Sequence, residues 1–171
     1  MGRLNYYKSF IFNTASLICG IVNMALCLVV RIVSGSPFEV IHRLNYNDIL
    51  PPIWIFNLLW LAASFFVGYS AGIIINAILC RRINGRDEIF AYRGGLCIVA
   101  LVFFAVIWYP LLFIKEAIFL SLLIAILSVV CSFVCALEWI RIEKCSGVIV
   151  FFYSFWLLYV MIVNFSLLFN N

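Results

Sequence analysis

Five long apolar stretches, separated by short charged connections, constrain this sequence more than any other feature. They run from about Phe10 to Val33, Ile53 to Cys80, Ile89 to Trp108, Ala117 to Ile140 and Val148 to Phe169. A helix needs about 20 apolar residues to cross the hydrocarbon of a bilayer. Within that hydrocarbon every backbone N–H and C=O must be satisfied inside the segment, which a helix does. Apolar residues make up 67% of the 171-residue chain and charged residues 11%. Soluble domains carry about 25% charged residues, so too few charges exist here to cover a water-soluble globule. The expectation is an all-α integral membrane bundle of five transmembrane helices, forming a single domain over residues 1–171.

The connections set the topology. Arg3 and Lys8 precede the first run as they would in a signal peptide. The run exceeds a signal h-region of about 7–15 residues, and the stretch after Val33 lacks an A-x-A cleavage pattern, so it reads as a retained helix. One side of the membrane would hold Arg3, Lys8, Arg81, Arg82, Arg86, Arg93, Arg141 and Lys144. The other would hold only Arg31, Arg43 and Lys115. This asymmetry predicts a cytoplasmic N-terminus and an exterior C-terminus. The longest connection, residues 34–50 with His42 and Arg43, would then lie outside.

The polar inventory narrows the chemistry. No acidic or basic residue falls at mid-membrane depth, which argues against a proton-coupled pump built on a membrane carboxylate. A single histidine, His42, and seven acidic residues are a thin stock for hydrolytic or metal chemistry, and no metal site or cofactor is expected. The seven cysteines lie mostly within apolar runs and read as small core residues rather than a disulfide framework. Asn23, Ser64, Asn76 and Asn164 suit hydrogen bonds between helices. The stripes Ser64-Gly68-Gly72 and Ser128-Ser132-Ala136, and the pair Ala91 and Gly95, suit close helix packing, either within one chain or in a homodimer. Nothing suggests a nucleic-acid partner.

Aromatic residues form 18% of the chain. Interfacial anchoring accounts for Trp139, beside Arg141, and for Trp54. It does not account for Trp60, which shares a helix face with Phe56 and Ser64, nor for Trp156, which shares one with Val160 and Asn164. The segment Pro51-Pro52-Ile-Trp54-Ile-Phe56-Asn-Leu-Leu-Trp60, followed by Gly68, resembles the PP-x-W-x-F-x-x-x-W…G signature of the TspO/MBR family of tryptophan-rich sensory and translocator proteins. Trp108-Tyr109-Pro110 with Phe113 resembles its W-S-P-x-F-F segment, and Gly147, Tyr153, Trp156, Asn164 and Asn170 follow its fifth-helix pattern. The match is collinear over about residues 38 to 170. Differences at Ile49, Leu50, Ser64, Ala105 and Phe152 imply a less polar site.

The resemblance implies a pocket under the long connection that binds tetrapyrroles such as protoporphyrin IX, or similar flat hydrophobic molecules. The implied lining is Ile41, Pro51, Phe56, Trp60, Ser64, Trp108, Leu112, Tyr153, Trp156, Val160 and Asn164. Indoles in an apolar cleft suit a flat macrocycle, each stack contributing about 0.5–1.5 kcal/mol beyond area burial. Arg43 and His42 would stand near its carboxylates. The expected role is therefore a membrane sensor or translocator whose partners are a porphyrin-like small molecule and the bilayer. Two alternatives stay open: light-driven, tryptophan-dependent degradation of bound porphyrin, the only enzymatic activity considered, and a structural membrane partner with a vestigial pocket. The sterol-recognition pattern of some relatives is absent, because no Lys or Arg follows Lys144.

Overall fold

The structure is a computed structural model that describes residues 14–35, 51–80, 83 and 85–170. Five helices make it up: α1 (Thr14–Val33), α2 (Ile53–Leu79), α3 (Arg86–Phe113), α4 (Ile118–Ile140) and α5 (Lys144–Asn170). All five are long and apolar enough to cross a membrane, and no strand occurs among the described residues. The protein is thus an all-α, multi-pass integral membrane bundle.

Two helices extend further than their apolar runs. α3 begins at Arg86, because Asp87 and Glu88 place negative charge in its first turn, where the helix dipole favours it. It also continues through Pro110 to Phe113. Proline removes one N–H bond but leaves its own carbonyl, which accepts from the N–H of Ile114 at 2.8 Å and closes the last turn. α5 begins at Lys144, which buries Ser146 against α2: the Ser146 hydroxyl donates to the Ser70 carbonyl at 3.0 Å. It then runs unbroken past Phe152.

The outer surface is apolar, as lipid solvation requires, and the core mixes apolar side chains with small polar ones. Val22, Ile32, Phe66, Val99, Phe103 and Phe152 point outward, while Ser16, Ser70, Ser121, Ser132, Ser154 and Asn164 are buried. Lipid tails solvate Leu or Phe as well as a core does, so association rests on small residues and interhelical hydrogen bonds. α1 packs on α2, α2 on α5, α5 on α4, α4 on α3, and α3 back on α1.

Ser64, Gly68 and Gly72 form the α1–α2 seam within one chain. A Cβ on Gly72 would lie 2.5 Å from Ser16 Cα, and one on Gly68 would collide with the Cys19 carbonyl. Asn23 Nδ2 donates to the Ser64 carbonyl across the same seam at 2.7 Å. Ser128, Ser132 and Ala136 are likewise buried inside the bundle. Ala91 and Gly95 instead line an open cleft of about 940 Å³ between α2 and α3.

Trp139 is not an interfacial anchor. It is 1% exposed and its indole fills a slot on α3 that exists because Gly94 has no side chain. Trp54, 69% exposed, does sit on the surface. All seven cysteines are free; Cys27 and Cys135 are buried, but Cys80 and Cys145 at helix ends are exposed.

Candidate functional site

The aromatic residues gather at the end of the bundle where α1 finishes and α2 begins. Phe56, Trp60, Trp108, Tyr109, Leu112, Phe113 and Val160 form one buried cluster, with Trp156 and Tyr159 against its edge. Periodicity explains the gathering. Phe56 and Trp60 are one turn apart on α2, Trp108 and Leu112 on α3, and Trp156 and Val160 on α5, so each helix presents a paired face.

The rings touch one another. Phe56 lies 5.3 Å from Trp156 and 6.5 Å from Trp108, centroid to centroid. Trp60 stacks on Tyr109 at 5.0 Å with an interplanar angle of 24°. Tyr109 contacts Phe113 at 4.6 Å. These spacings are those of favourable aromatic pairs. The three helices therefore bring Trp60, Trp108 and Trp156 together, but their neighbours fill most of the space between them.

What remains open is a chamber of about 20 Å³ walled by Trp60, Trp108, Tyr153, Trp156, Val160, Ala125 and Ser128, among others. That is room for about one water, far below the roughly 300–1,000 Å³ of a ligand pocket. A groove of about 400 Å³ lies between α2 and α5, and Trp156 and Tyr153 line it too. It exists because Ala62 and Ala63 stand where larger side chains would fill it, and its rim of Leu59, Phe66 and Phe152 is exposed on the lipid-facing surface. Trp156 and Tyr153 thus stand between the small inner chamber and the outer groove.

The remaining expected residues are placed as follows. Phe56 covers the chamber through its contacts with both tryptophans. Leu112 is fully buried in the cluster but outside the chamber wall. Pro51 is half-buried just before α2. Ser64 faces the α1–α2 seam and donates to the Trp60 carbonyl of its own helix at 2.8 Å. Asn164 is buried, donating from Nδ2 to the Val160 carbonyl at 2.7 Å and accepting from Ser121 Oγ at 2.8 Å, which ties α5 to α4. Ile41, His42 and Arg43 lie outside the described residues.

Sequence reasoning missed Tyr109, Leu101, Phe104, Ala125, Ser128 and Leu157 as parts of this region. Tyr109 adjoins Trp108 and Pro110, a signal that could have found it; the others carry no signal beyond apolarity or small size. It also missed Arg31, on the last turn of α1, whose guanidinium carbon lies 5.8 Å from the Tyr109 ring centroid.

Several buried polar atoms of the cluster lack a partner. Trp108 Nε1, Tyr109 Oη and Trp156 Nε1 are buried with no hydrogen-bond partner. Leaving such a group unpaired costs about 1–3 kcal/mol. Among the described residues, no Asp or Glu lines the small chamber. Glu138 lies at the far end of the bundle, 4.0 Å from Arg93 and 3.8 Å from Arg141.

No curated protein matches the chain. The family profile of TspO/MBR matches residues 18–169, nearly the whole length and all five helices. The collinear proline, tryptophan and glycine positions, the five membrane-spanning helices and this match agree, and the chain belongs to the TspO/MBR family.

Proposed function

We propose that this membrane protein, of sensor or translocator type, binds flat hydrophobic molecules of the tetrapyrrole class among Trp60, Trp108 and Trp156. The observation that carries the reading is the set of three buried, unpartnered donors in one aromatic cluster. Their cost is recovered when a ligand brings acceptors, such as ring nitrogens or carbonyl oxygens.

Binding requires a movement, because about 20 Å³ admits no macrocycle. Trp156 is the side chain to move. Turning its indole away would join the inner chamber to the groove of about 400 Å³ on its other side. The merged space opens toward lipid, where a hydrophobic ligand is already concentrated. A ligand burying about 400 Å² of apolar surface would gain on the order of 10 kcal/mol before entropic costs. Displacing Trp156 reduces that gain, and micromolar affinity is the expected result. The excess of arginine and lysine at the ends of α2 and α4 supports an N-terminus in the cytoplasm.

A second reading has one observation in its favour: the small chamber suits a structural protein whose pocket is vestigial. Titrating the protein in lipid nanodiscs with protoporphyrin IX in the dark, while following tryptophan fluorescence, separates the two. Saturable quenching that weakens in Trp60→Phe and Trp156→Phe supports ligand binding. Quenching that never saturates supports the vestigial pocket. Repeating the titration in light, and following porphyrin absorbance, detects degradation.

A further inference from the structure

Trp108, Tyr109 and Trp156 carry buried hydrogen-bond donors without a partner, and among the described residues Arg31 brings a cation against the cluster. Its guanidinium lies over the Tyr109 ring, and Tyr109 in turn stacks on Trp60. One terminal nitrogen of Arg31 donates to the Gly35 carbonyl at 2.6 Å. That bond holds the side chain across the end of the cluster, and a guanidinium carries five N–H donors in all. Arg31 is in the last turn of its helix, at a depth where a charge is tolerated by reaching toward the interface.

We propose that Arg31 is the carboxylate-binding residue of this site, and that the ligands it selects are flat hydrophobic molecules with an anionic edge. The inference rests on the aromatic cluster being the ligand site. A macrocycle seated against Trp60 would lie one ring, that of Tyr109, from the guanidinium. A carboxyalkyl arm on the edge of the macrocycle, directed to the end of the bundle where α1 finishes, would point toward that guanidinium. There the guanidinium exchanges a cation–π contact for a charge-assisted pair, the stronger interaction. The planar fork of arginine accepts a carboxylate through two parallel hydrogen bonds, which a lysine cannot reproduce. The carboxylate stays at the membrane edge, and the ring system enters the donor-lined interior.

The test compares protoporphyrin IX with its dimethyl ester, which keeps the macrocycle and removes both charges. Affinities are measured by tryptophan quenching in phosphatidylcholine nanodiscs, in the dark, for the wild-type protein, Arg31→Gln and Arg31→Lys. The wild-type protein is expected to bind the diacid about tenfold more tightly than the diester, since the pair is only partly shielded from water. Arg31→Gln should lose about tenfold for the diacid and stay within about twofold for the diester, and Arg31→Lys should fall between. Added salt should weaken wild-type diacid binding and leave the diester unaffected. Diester binding by Arg31→Gln doubles as its folding control. If that variant binds neither ligand, the wild-type salt series and Arg31→Lys decide in its place. Equal wild-type affinity for the two ligands, or a diacid preference that survives in Arg31→Gln, overturns the role of Arg31 and leaves the aromatic site standing. Failure of the wild-type protein to bind either ligand overturns both.

Discussion

Truncating the tryptophans one at a time ranks them by what surrounds each ring. Trp60 is 4% exposed and stacked on Tyr109, so Trp60→Ala leaves a closed void. Core Trp→Ala changes cost about 3–5 kcal/mol, a transfer part plus a cavity part. In a bilayer the transfer part shrinks, because lipid solvates an indole nearly as well as the protein interior does. The packing part remains, and about 3 kcal/mol is expected. Trp156 has a different setting. Its indole meets Phe56 at 5.3 Å and Tyr159 at 5.6 Å, and it also borders the lipid-facing groove. Lipid chains can enter from the groove and fill the space that Trp156→Ala vacates, so the loss falls to about 1–2 kcal/mol. Trp54, 69% exposed, anchors at the interface and its removal costs less than about 0.5 kcal/mol. For a chain of this length each kilocalorie lowers Tm by about 2–4 °C. Thermal unfolding in nanodiscs should therefore give drops of about 6–12 °C for Trp60→Ala, about 2–8 °C for Trp156→Ala and under about 2 °C for Trp54→Ala. Added indole should restore part of the loss in Trp60→Ala, by mass action on the closed void. Equal losses at Trp60 and Trp54, or a larger loss at Trp156 than at Trp60, would refute the reasoning about closed and lipid-bordered faces.

Other substitutions probe the seams. Gly72→Leu should part α1 from α2, since even a Cβ would lie 2.5 Å from Ser16 Cα; a destabilisation above about 3 kcal/mol, without change in oligomeric mass, identifies the stripe as an intrachain seam. Asn164→Ala should cost about 1–2 kcal/mol through loss of the Ser121 bond between α4 and α5. Its effect on protoporphyrin affinity should stay within about twofold, because Asn164 is outside the chamber wall. Gly95→Ala should be neutral or raise stability by up to about 1 kcal/mol in unfolding measurements, because nothing lies within 4 Å of the added carbon.

The number and order of helices were legible because the length of an apolar run reports membrane thickness directly. Their ends were less so. The Arg86–Glu88 turn reads as a charged connection by hydropathy, yet its acidic residues are what start α3 early. Trp60, Trp108 and Trp156 were legible through their helical spacing and through the family pattern. Trp139 was not: its sequence neighbour Arg141 suggests the interface, whereas its burial depends on Gly94 of a different helix. Ser64 and Asn164 share helix faces with Trp60 and Trp156, but each is engaged in backbone or interhelical bonds that only the packing reveals. The size of the chamber was not legible at all. Whether converging rings leave a slot or fill it is decided by side-chain rotamers, and here Phe56 and Tyr109 occupy the middle.

The central claim is that Trp156 yields its place to a flat ligand lying against Trp60. Solving the structure of the protein with protoporphyrin IX in a lipid environment tests this most directly. The account predicts ring density between α2, α3 and α5, with the Trp156 indole turned out of its place between the inner chamber and the groove. A macrocycle found instead in the cleft between α2 and α3, with the tryptophan cluster unmoved, would contradict it.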